Sequence, residues 1–115
     1  MKIIKLAASV ALLVPSLSFA AFIDGNKLHQ YLTSQNNAEY VHGLGYVIGV
    51  SDFIAGSLTC PPSNVTTGQL GDMVRNYLDR YPEQRHKTAD LLVAVVMSAQ
   101  WPCKKAGASG ARGLL

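Results

Sequence analysis

Charge is scarce in this chain: only 15% of its 115 residues are Asp, Glu, Lys or Arg. Aromatic residues make up 8%, with a single tryptophan, and there are two cysteines. Each scarcity excludes something. Cys60 and Cys103 are far apart, and His29, His42 and His86 make no pair at helical spacing, so the close ligand spacings of a zinc site are missing. The longest apolar run, Leu6 to Val14, is well short of the ~20 residues that span a bilayer. The length allows one domain and leaves no room for separate cofactor and substrate domains.

What is present begins with an export signal. Lys2 and Lys5 precede the apolar run, and Pro15 and Ser18-Phe19-Ala20 follow it. A basic start, a short apolar core and a small–x–small end predict a secretory signal peptide over residues 1–20, cut after Ala20. The protein is then expected in the periplasm, with no stable membrane insertion after cleavage. Losing Lys2 and Lys5 lowers the net charge from +3 to +1. Lys104, Lys105 and Arg112 lie at the far end, and the body from Ala21 to Cys103 holds five basic against seven acidic residues. A near-neutral body has no electrostatic footprint for phosphate backbones, which excludes nucleic acid as a partner.

The hydrophobic pattern is helical from end to end. Asp24 is a candidate N-cap for a short first helix carrying Leu28, Tyr31 and Leu32 on one face. Gln35-Asn36-Asn37 breaks it, and a second helix is expected over Ala38–Leu58, with Tyr40, Leu44, Val47, Val50 and Ile54 on its stripe and Phe53 beside it. A strand over Tyr46–Val50 is the alternative. Gly43, Gly45, Gly49 and Gly56 disfavour a helix by about 1 kcal/mol each, so their density predicts another backbone passing close by. Gly45-x-x-x-Gly49 serves equally an intrachain contact or a homodimer. Thr66 and Gln69 have capping-box spacing, and Leu70, Met73, Val74, Tyr77, Leu78 and Tyr81 follow on a regular helical stripe. Pro82 ends this third helix and suits the first turn of a fourth, expected over Glu83–Gln100 and central because it is apolar on a wide face. Trp101-Pro102-Cys103 closes the domain, and residues 104–115 read as a flexible basic tail.

Two cysteines in an exported chain of this size predict a disulfide. Cys60 precedes the third helix and Cys103 follows the fourth, so an antiparallel hairpin of those helices brings them together. In the chain-entropy model a 43-residue separation corresponds to about 4 kcal/mol of stabilisation. The expected fold is all-α: a single-domain bundle of four to five helices over residues 21–103, stapled by one disulfide.

Candidate chemistry is thin. Gly43-x-Gly45-x-x-x-Gly49 is one residue too long for a dinucleotide fingerprint and lacks its βαβ setting. Gly49-Val50-Ser51-Asp52 lacks the second glycine of a nucleophile elbow. A bridged cysteine offers no thiolate nucleophile. We expect neither an enzyme nor a cofactor nor a metal.

The residues Cys60-Pro61, Val65-Thr66, Gly68-Gln69-Leu70, Tyr77-Leu78, Pro82-Glu83, Arg85-His86, Leu92-Val93 and Pro102-Cys103 form a dispersed pattern, joined in the first half by Gly25-Asn26 and by Gly45-Tyr46-Val47-Ile48-Gly49-Val50. From about Phe22 to Cys103 the chain resembles the Tai-like immunity proteins of type VI secretion systems. These are small exported all-α proteins that inhibit peptidoglycan amidase effectors. The resemblance implies a cell-wall amidase as partner and inhibition by occlusion of its cleft. Many of those relatives carry a second cysteine pair, at positions matching Leu32 and Gly43 here. The other class of function open to such a chain is a general periplasmic binding or chaperone-like protein, marked by exposed apolar surface.

The link between helices three and four concentrates polar recognition groups. Arg80, Tyr81, Glu83, Arg85 and His86 surround Pro82, which makes them the candidate partner interface. The same residues also fit a solvated corner whose ion pairs contribute under ~1 kcal/mol each.

Overall fold

Each of the first three helices starts where a side chain takes over free backbone N–H groups. The computed structural model describes residues 22–104, and there Asp24 accepts from the Lys27 N–H at 2.8 Å to open α1 (Gly25–Leu32). The Asn36 side chain accepts from the Ala38 and Glu39 N–H groups to open α2 (Asn37–Ile54). Thr66 and Gln69 close a full capping box at α3 (Thr67–Arg80). A short 3-10 turn (Pro82–Gln84) then leads to α4 (Ala89–Gln100). The described residues contain no strand. The expected signal peptide lies outside them, as does all but the first residue of the tail.

All four helices contribute to one core. Leu28 and Leu32 come from α1, Val47 and Ile54 from α2, Val74 and Leu78 from α3, and Leu92, Val93 and Met97 from α4, all at most 5% exposed. Burying a side chain of this size stabilises by about 1.5–3 kcal/mol. His29 Nε2 meets Asp79 Oδ1 at 2.6 Å and ties α1 to α3 on the surface.

The Tyr46–Val50 segment is helix, as expected, and not the alternative strand, with Val47 fully buried. Two details of α2 depart from the sequence expectation. α2 stops at Ile54 instead of Leu58 because the Ile54 carbonyl accepts the N–H groups of Ser57, Leu58 and Thr59 while Gly56 takes φ +85°. Close helix packing holds at Gly43, where a Cβ would stand 2.7 Å from Tyr31 Cβ and 3.3 Å from Leu32 Cδ2. It fails at Gly45 and Gly49, where nothing comes within 4 Å of a built Cβ.

The fourth helix begins six residues later than expected. Residues 85–89 are committed elsewhere: the Arg85 and Lys87 carbonyls accept the Asn26 and Gly25 N–H groups at 2.9 Å, and the Ala89 N–H donates to the Ile23 carbonyl. A backbone paired with the start of α1 cannot also close helical turns. α4 buries Leu92, Val93, Val96 and Met97 but leaves Leu91 and Val95 about half exposed, so it is central on one face only.

The cysteines are bridged, Cys60 to Cys103, with their Cα atoms 4.8 Å apart. The Cys60 N–H donates to the Trp101 carbonyl at 2.8 Å beside the bridge. The staple fastens the segment before α3 to the end of α4.

Candidate partner interface

Pro82 decides the local structure of the corner. In a continuing helix the Leu78 carbonyl would accept the N–H of residue 82, and proline has none. The Arg85 guanidinium supplies the missing donor: its Nε donates to the Leu78 carbonyl at 2.7 Å. The chain turns back through the 3-10 turn, with the Gln84 N–H donating to the Tyr81 carbonyl and the Arg85 N–H to that of Pro82. Arg85 is thereby drawn against α3 and is only half-buried, while Arg80, Tyr81, Glu83 and His86 stay exposed.

The exposed members face in different directions. Arg80 and Tyr81 line a cleft of about 470 Å³ between α3 and α4, floored by Val95, Val96 and Ala99. Tyr81 packs on Tyr77, ring centroids 4.9 Å apart, which holds the phenol at the cleft mouth. His86 Nδ1 lies 2.9 Å from the Glu83 carbonyl. A carbonyl only accepts, so Nδ1 carries the proton and a neutral imidazole presents Nε2 outward as an acceptor. The five residues share one turn, yet they divide among a cleft, an exposed tip and a structural clasp.

A further element, absent from the candidate set, stiffens the corner. Gly25 opens α1 directly under it: a Cβ there would fall 2.7 Å from the Arg85 carbonyl oxygen and 2.8 Å from Arg85 Cα. Only glycine admits this approach. The one sequence signal for it was a glycine placed just after an N-cap, where ordinary helix formers suffice. The clasp by Arg85 was more legible, since a proline inside a helical pattern always orphans the carbonyl four residues back.

Titration adds little here. The described residues hold no group of three or more His, Cys, Asp or Glu side chains placed to bind a metal. The clearest perturbed group, Tyr46, lies away from the corner: burial pushes its phenol above the usual value, and the Asp90 charge adds to this, partly offset by a hydrogen bond with the Asp90 backbone.

The corner is clamped by the Arg85–Leu78 hydrogen bond and sits on a stapled helical scaffold. The family model of the Rap1a immunity proteins matches residues 24–103, from the cap of α1 to the second bridged cysteine. The chain belongs to the Rap1a immunity proteins. No curated protein matches it. Membership in this immunity family implies binding of a cognate effector protein. The matched span contains the whole corner, the clasp and the staple.

Proposed function

We propose that this Rap1a-family protein is a periplasmic immunity protein that binds and occludes a peptidoglycan amidase effector of a type VI secretion system. Residues 1–20 direct export and are removed, residues 21–103 form the inhibitory domain, and residues 104–115 form a basic tail. The observation that carries the mechanism is the corner, held by Pro82, by the Arg85–Leu78 hydrogen bond at 2.7 Å and by the backbone pairing with α1. A protrusion already rigid before binding avoids the cost of ordering a loop at the interface. Tyr81 would anchor it, Arg80 would read a carboxylate and His86 would accept a proton donor from a polar cleft.

The direct test is capture of partners from the native periplasm by the tagged protein, identified by mass spectrometry, followed by an amidase assay on purified cell wall. A cell-wall amidase should be recovered and inhibited at stoichiometric ratio. Replacing Tyr81 and His86 together with Ala should weaken that inhibition at least tenfold, about 1.4 kcal/mol, with unchanged helix content. Recovery of an effector with other chemistry would retain the immunity role and discard the amidase.

A further inference from the structure

Two clefts on the seam between α3 and α4 run into each other. The cleft of about 470 Å³ at Arg80 and Tyr81 shares Met73, Asn76 and Gln100 with a second of about 390 Å³ that reaches Asp72 and Trp101. Along the α3 wall stand Asp72, Asn76 and Arg80, all exposed. They recur every four residues and so form one row along the helix. The row reads acid, amide, base. The floor beside it is apolar, built from Met73, Val96 and Ala99. We propose that this groove binds a short free peptide in extended form, its amino terminus at Asp72, its backbone on the Asn76 amide and its terminal carboxylate at Arg80.

The order and spacing of the row favour a free peptide over other ligands. Within α3, Asp72 and Arg80 stand about 12 Å apart along the helix axis. That is the length of about three to four extended residues at about 3.3 Å each. A free peptide of that length carries an ammonium at one end and a carboxylate at the other. A strand inside a protein carries neither, and a neutral sugar would leave both charges unused. Between the ends, the Asn76 amide offers a donor and an acceptor, which is what a peptide unit requires, while small side chains meet the apolar floor. Both charges are available. Arg80 has no carboxylate within ion-pair distance among the described residues, and neighbouring Asp79 turns instead to His29 at 2.6 Å. Asp72 has only Arg75 at 3.7 Å, an exposed pair of the kind that contributes little. A guanidinium reads a terminal carboxylate through two parallel N–H donors.

The site is built from α3 and α4 alone and does not depend on which effector the corner binds, so it is tested on the purified, disulfide-intact protein without a partner. Titrating isotope-labelled protein with tetra-alanine to about 10 mM should shift the amide resonances of residues 72–80 and 95–101, with a Kd at or below about 1 mM. Amidating the peptide's carboxyl group or acetylating its amine should each weaken binding at least tenfold. Shortening it to di-alanine, which cannot reach both charges, should do the same. Arg80→Gln should bind the free and the amidated peptide alike, and Asp72→Asn the free and the acetylated one. Both substitutions fall at exposed positions and keep the fold, which circular dichroism checks. Absence of shifts at the highest peptide concentration overturns the proposal. So do equal affinities of wild-type protein for free and blocked peptides, and so does a charge preference that survives Arg80→Gln and Asp72→Asn.

Discussion

Glycine has two opposite meanings in this molecule, and a methyl group distinguishes them. Gly25 lies against the Arg85 backbone, which cannot swing away as a side-chain tip can. Gly25→Ala should therefore destabilise the fold by about 1–3 kcal/mol, the usual range for overpacking. Gly68 opens to empty space inside α3, and Gly68→Ala should be neutral or stabilise by up to ~1 kcal/mol through helix propensity. Urea denaturation of the two variants measures the contrast. A second pair at this scale is Arg85 and His86. Removing the Arg85 guanidinium leaves the Leu78 carbonyl without the donor that Pro82 cannot supply, so Arg85→Ala should lower stability by about 1.5–3 kcal/mol. His86→Ala should change stability by less than ~0.5 kcal/mol, as at other exposed positions. Equal effects of the two would contradict the clasp.

Among the elements, α2 and α4 are the ones whose composition exceeds their burial. Both are apolar around most of their circumference, and such helices normally have partners on every side. Their contact also contains Tyr46, whose phenol is raised by burial and by Asp90. A raised folded-state value means that the native protein resists ionising this tyrosine. Its contribution is thus fully present below the unfolded value of about 10 and lost as pH rises through the folded one. Stability should be flat in this respect through neutral pH and decline above about pH 10. Tyr46→Phe should make that alkaline decline shallower, which thermal melts across pH 8–12 in matched buffers would reveal. An unchanged slope would place the loss on other groups.

For the molecule as a whole, the bridge matters more than any single contact. Cys60 and Cys103 are 43 residues apart in sequence, and closing that separation contributes on the order of 4 kcal/mol in the chain-entropy model. Domains of this kind total ~5–15 kcal/mol, so reduction should remove a large share. Reductant should lower the thermal midpoint by well over 10 °C, since each 1 kcal/mol moves it about 4–8 °C at this size. Alkylation without reductant, followed by intact mass, should find no free thiol.

The division between sequence and tertiary structure follows the range of each interaction. Helix starts were legible because caps act over three residues: Asp24, and Thr66 with Gln69, sit where the pattern placed them. The all-α class and the bridge were also legible, the first from a period of 3.6 and the second from arithmetic on two cysteines. The end of α2 and the start of α4 were not: a tight turn on the Ile54 carbonyl stops the first, and hydrogen bonds from far along the chain hold back the second. Residues 85–88 look helical alone and are held in turns and a backbone pairing by Ile23–Asn26, some sixty residues away. The glycines of α2 show the same limit: composition says that a neighbour is close, but only the packed bundle separates Gly43, pressed by Tyr31, from Gly45 and Gly49, which face open space. Local chemistry determined the elements of this protein. Which of their faces meet, and which remain for a partner, was decided by contacts between residues the sequence keeps apart.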